Sequence, residues 1–325
     1  MKRFIYFLVV IIILGAILFI TRKDEEVQLT RVIVGHIGLA NDLPAFIAFE
    51  KGFFREEGLD VELRKLESSK LASDALYAGG IDISAGSSLV NLLGAEANDP
   101  GKIMFYALGR TGKSENTTLG GFIVLETSSI NTVADLAGKK IAVFPGNTAT
   151  SFLTRYFKKN GVDPDTVLWQ KMVPSNWLPS LDSGAVDAVY AYEPTYTLAK
   201  LRTENKVRVI AFGALEDEVD PLYLGGSTFA VRFVADNPDA AASYVRAFYR
   251  GIDFINTNES EARAILQSYI NVPTEVAMNM NLYPDDKVDA IQRDKFQELS
   301  NLLFEEGTLP NAVNVMRDEL YYVLP

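Results

Sequence analysis

Short apolar runs alternate with amphipathic stretches along the chain, and the two periods involved are those of strands and helices. The run Val32-Ile33-Val34-Gly35-His36-Ile37 is short, β-branched and closed by Gly38, which predicts a buried first strand. Asp42 is placed to cap a following helix, with Pro44 in its first turn, Phe46, Ile47 and Phe49 as its apolar positions and Gly52 as its stop. Leu59, Val61 and Leu63 then alternate with Asp60, Glu62 and Arg64, the period of a strand covered on one face. Leu71, Ala72, Ala75 and Leu76 recur at helical spacing up to Gly79-Gly80, and residues 81–85 read as the next strand. Gly86, Ser87 and Ser88 are expected to turn the chain into a helix bearing Leu89, Leu92 and Leu93, ahead of a strand at 103–108.

The same order restarts after Gly120-Gly121. Strands are expected at 122–125, 140–144, 167–172 and 187–191, separated by helices that stop at Gly138, Gly161 and Gly184. The helix led in by Pro145-Gly146-Asn147-Thr148 gathers Phe152, Leu153, Tyr156 and Phe157 on one face. Two successive strand-helix-strand series predict two α/β units. From Gly225 a strand at 228–234 precedes a long helix, with Asn237 as cap, Pro238 at its first position and a stripe of Val245, Phe248, Ile252 and Ile255. Further helices are expected at 259–269, 286–306 and 311–320.

Composition narrows the chemistry. A length of 325 residues is enough for two apolar cores. Forty-two acidic against 31 basic residues leave a formal charge of −11, which repels phosphate backbones and argues against nucleic acid as a partner. No cysteine is present, so disulfides, thiolate metal sites, cysteine nucleophiles and a lipid-bearing cysteine are all excluded. The single histidine, His36, sits on an apolar strand and reads as a packed residue; neither a metal nor a cofactor is expected. At the N-terminus Lys2 and Arg3 precede an unbroken apolar stretch over 4–20, followed by Arg22, Lys23 and three acids. Seventeen apolar residues are at the short end of a bilayer span. Residues 1–30 are therefore expected to be a transmembrane signal anchor and linker that leave the rest of the chain on the extracytoplasmic side, with cleavage and release as the alternative.

The stretch Glu50-Lys51-Gly52-Phe53-Phe54-Arg55-Glu56-Glu57-Gly58-Leu59-Asp60-Val61-Glu62 resembles the opening of the nitrate, sulfonate, taurine and thiamine-precursor solute-binding proteins, the SsuA/THI5-like family. Three later stretches resemble it in the same order: 75–84, 133–143 and 181–194, the last ending Tyr192-Glu193-Pro194. The resemblance implies an α/β type II periplasmic-binding-protein fold, two lobes joined by crossing strands with the ligand between them. Lobe one would comprise 31–122 plus 226–325, and lobe two 123–225. It also implies a monomeric binding protein of an ABC importer, with permease and ATPase subunits as partners. Two alternatives are a membrane-tethered receptor serving a signalling partner and an enzyme making a thiamine pyrimidine. The enzyme's reliance on cysteines and an active-site histidine fits this composition poorly.

Ligands of open α/β sheets lie beyond the carboxyl ends of strands, so the loops there supply the candidate site. Asn41 and Asp42 follow the first strand, Asp42 being equally suited to capping. Ser87 and Ser88 in one unit, and Asn147, Thr148 and Thr150 in the other, place hydroxyls and amides at helix starts, which favour anions. Tyr192 and Glu193 offer a stacking face and a carboxylate for an amine or heterocyclic N–H; in the family this position lies at the cleft. Trp177 is either another wall or core. Together these residues suit a small polar molecule, sulfonate- or taurine-like or pyrimidine-like.

Overall fold

The structure, a computed structural model, describes residues 29–145 and 148–325. The N-terminal apolar stretch and Asn147 lie outside the described residues. Among the described residues no helix is long and apolar enough to cross a membrane.

The first series runs β1 (Thr30–His36), α1 (Leu43–Glu50), α2 (Phe53–Glu56), β2 (Leu59–Lys65), α3 (Ser69–Ala78), β3 (Ile83–Ser88), α4 (Leu89–Asn98) and β4 (Ile103–Thr111). The second runs β5 (Gly120–Leu125), β6 (Lys140–Val143), α5 (Thr148–Lys159), β7 (Leu168–Lys171), α6 (Trp177–Asp182), β8 (Ala188–Tyr192), α7 (Thr195–Leu201) and β9 (Val207–Phe212). The chain then returns through β10 (Leu222–Ala230) and continues as α8 (Val231–Asp236), α9 (Pro238–Thr257), α10 (Glu259–Tyr269), α11 (Thr274–Asn279), β11 (Asp285–Lys287) and α12 (Arg293–Glu305).

The strands form two sheets, ordered β11-β4-β10-β3-β1-β2 and β7-β6-β8-β5-β9. In the first, β1 lies parallel between β2 and β3, while β10 is antiparallel to both β3 and β4. In the second, β6 lies parallel to β7 and β8, and β5 is antiparallel to β8 and β9. Alternating strands and helices force this parallel arrangement, because a parallel neighbour can be reached only by a crossover. Two segments cross between the sheets, 112–119 and 213–221. Buried Glu216 binds them together: its Oε1 accepts from Leu119 N at 2.7 Å and lies 3.2 Å from the Thr118 hydroxyl.

The helix expected to stop at Gly138 is only a 3-10 turn, Val133–Leu136. Beyond it, local pattern and tertiary pairing disagree in five places. The expected turn at Gly86-Ser87-Ser88 is the end of β3, because Ser87 and Ser88 pair with Gly226 and Gly225 of β10. The strand expected at 228–234 starts earlier and stops at Ala230, where α8 begins. Asn237 precedes α9 without capping it by its side chain, which turns back to Phe233 O at 3.5 Å. The helix expected at 286–306 begins only at Arg293, since 285–287 pair with β4. The helix expected at 311–320 is irregular chain with a turn at 315–316, closed by a 3-10 turn, Asp318–Leu320, with Ser300 Oγ donating to Val313 O at 3.0 Å.

Candidate functional site

A cavity of about 640 Å³ opens where residues from both sheets and from the C-terminal helix meet. Its polar rim is built from three helix starts: Ser68, Ser69 and Lys70 at α3, Ser88 and Asn91 at α4, and Thr148 at α5. The first N–H groups of a helix have no carbonyl of their own helix to meet, so they present partial positive charge. Ser68 satisfies one of them, accepting from Leu71 N at 3.2 Å. The Ser88 side chain makes no such capping bond, so its hydroxyl is not committed to the helix it precedes. Lys70 adds a cation, paired with Asp74 at 2.7 Å in an exposed setting.

The rest of the wall is apolar. Phe144, Pro145 and Phe152 come from the second unit; Leu119 and Leu215 from the crossing segments; Leu222 and Leu224 from β10; and Leu299 and Leu303 from α12. Tyr192 completes it, its ring edge-on to Trp177 at 5.6 Å and tilted against Phe144 at 6.3 Å. Burial, reinforced by nearby Glu216, raises the pKa of the Tyr192 hydroxyl, which therefore stays protonated and able to donate. Donors set among hydrocarbon, with no Asp or Glu among the described residues lining the cavity, suit an anion carrying an apolar body.

Of the ten residues proposed from sequence, Ser88, Thr148 and Tyr192 meet at this cavity. Asn147 is outside the described residues. Thr150 faces a neighbouring groove with Arg155, Lys158 and Glu306. Asp42 is fully buried and accepts from Ile37 N at 3.2 Å and Leu39 N at 3.0 Å, so it serves the backbone of its own loop. Asn41 lies against β10 and β4, its amide filling the space a side chain on Gly225 would need. Ser87 is buried, its hydroxyl 2.8 Å from that of Ser84. Trp177 is core, donating to Met172 O at 3.0 Å.

Glu193 is the largest departure. Its Oε1 accepts from the Thr197 hydroxyl at 2.9 Å and Asn281 N at 3.1 Å, and its Oε2 from Thr197 N at 3.2 Å. Asn281 in turn donates to Glu115 O and Thr118 O, so the carboxylate ties β8 to the C-terminal segment beside the crossing. His36 is buried edge-on to Phe46 at 5.0 Å, and burial lowers its pKa. Sequence reasoning missed Ser68, Ser69, Lys70, Phe144 and the two α12 leucines. Ser68 followed by the helical pattern at 71–76 was a usable capping signal. Nothing local marked Leu299 or Leu303.

Two α/β units joined by two crossing segments, with a ligand-sized cavity at their junction, define a two-lobed solute-binding fold. The chain belongs to the NMT1/THI5-like family, whose model matches residues 40–262. A candidate aliphatic sulfonates-binding protein of Bacillus subtilis is 25% identical over 289 residues, covering 86% of this chain and 83% of its own. A candidate binding protein of Brucella abortus is 27% identical over 228 residues, 70% and 67% of the two chains. The crystal structure of the periplasmic aliphatic sulphonate binding protein SsuA from Escherichia coli superposes with a TM-score of 0.73 at 17% identity, covering 90% of this chain and 92% of that one.

Proposed function

We propose that this protein is the extracytoplasmic solute-binding component of an ABC importer, and that it holds a small organic anion of the sulfonate type between two lobes. The lobes correspond to 31–122 plus 226–325 and to 123–225, and permease and ATPase subunits are the partners. The observation that carries the reading is the convergence of three helix starts, two from one sheet's side and one from the other's, on a single apolar-walled cavity. An anion bridging them gains from both sides only when the lobes are together, so it favours the closed form and marks the protein as loaded. The names of the Bacillus and Escherichia relatives support the sulfonate class. The aminopyrimidine reading leaned on Glu193, whose oxygens are occupied by Thr197 and Asn281.

Thermal denaturation of the full chain with alkanesulfonates, alkylammonium salts and aminopyrimidines tests this. Sulfonates are expected to raise Tm by about 5 °C at a hundredfold excess over Kd, and the other two classes to leave it unchanged. A rise confined to amines or aminopyrimidines would overturn the anion reading.

A further inference from the structure

We propose that α12 is the element that selects the ligand's hydrocarbon part, with Leu299 and Leu303 as the residues that set how long that part can be. The inference rests on the cavity being the binding site, and extends that reading to a residue-level rule. Leu299 and Leu303 are four apart, so they project from one face of the helix. Both line the cavity and both are almost wholly buried. They offer only hydrocarbon, so what they accommodate or refuse is hydrocarbon.

The helix that carries them is fixed on its other sides. Phe296 packs edge-on to Phe105 at 5.7 Å and to Tyr223 at 5.9 Å. Gln297 and Ser300 both donate to Val313 O, at 3.1 and 3.0 Å, and Gln297 accepts from Val315 N at 2.8 Å. Arg293 at the start pairs with Asp318 at 2.6 Å. Just past its end, Glu306 pairs with Arg155 of α5 at 2.5 Å, and Thr308 lies 3.4 Å from Thr148. The leucine wall is therefore anchored on the first sheet's side and tied across to the helix whose start helps form the polar rim. It cannot recede from a longer ligand without breaking that tie. Residues 293–305 also fall outside the stretch 40–262 matched by the family model, so this wall is not part of what places the chain in its family.

Calorimetric titration of the full chain with straight-chain sulfonates of one to eight carbons reads the wall directly, with the matching alkylammonium series alongside. In the unaltered protein affinity is expected to rise roughly fourfold per methylene and then stop at a definite length. Leu303→Ala, which removes three carbons from the wall, is expected to move that limit outward by two or three carbons. Leu299→Ala is expected to do likewise, and Leu303→Met to keep the original limit. Circular dichroism checks that each variant is folded, and if one is not, the other decides. The same limit in all folded variants, including a uniform loss of affinity without a shift, overturns the proposal. Binding of ammonium ions alone would overturn the anion reading of the site, while the chain-length limit would still judge the wall. Binding of neither series overturns both.

Discussion

Asp42 shows how one side chain can satisfy a sequence rule without joining the site. Its loop follows a strand end, where ligand contacts cluster, yet its carboxylate receives two backbone N–H groups and is shut away from water. Desolvation outweighs those bonds and raises its pKa from 3.8 to about 7. Between those two values the folded state holds a proton that the unfolded state has lost, so stability falls as pH rises across that window and the full penalty applies above about 7. Asp42→Asn keeps an acceptor for the two N–H groups and removes the titration. Its stability should gain on the parent's by up to about 4 kcal/mol between pH 4 and 7, measured by urea denaturation. Parallel pH profiles for the two proteins would refute that assignment. Glu193 teaches the same lesson: an aromatic-carboxylate pair at a strand end is legible in sequence, but its carboxylate is taken by Thr197 four residues on and by Asn281, 88 residues away.

Among the elements, the alternation of strands and helices through β1–β4 and β5–β8 was readable because each sheet has one period and each helix another. What failed depended on distant pairing. Gly86-Ser87-Ser88 has the composition of a turn, and only the glycines of β10 opposite make it a strand. Val313 and Val315 fall in the stretch 311–320 that reads as helix, yet their backbone groups bond to Gln297 and Ser300. Helix α9 meets α1 through Gly251, where an added Cβ would collide with Pro44 O. Gly251→Ala is therefore expected to destabilise the fold by about 1–3 kcal/mol despite the better helix propensity of alanine. Thermal denaturation reads this; an equal or higher Tm would show that α9 can shift without cost.

At the scale of the molecule, the two sheets hold separate halves of one polar rim, and the crossing segments hold the halves within reach of each other. The class of fold was legible from the strand-helix order together with the stretch around Lys51-Gly52-Phe53-Phe54, and three of the proposed contacts, Ser88, Thr148 and Tyr192, fall on the cavity. Its apolar character was not legible, because Phe144, Leu222 and the α12 pair Leu299 and Leu303 come from three separated parts of the chain and look like ordinary core. A clamp of this kind requires a ligand held from both sides at once. Calorimetric titration of the full chain with butanesulfonate, comparing Ser88→Ala from one side and Thr148→Val from the other, measures this. Each substitution should cost at least fivefold in affinity, in keeping with a lost hydrogen bond to a charged group. Loss from one side only, or from neither, would contradict a ligand clamped between the lobes.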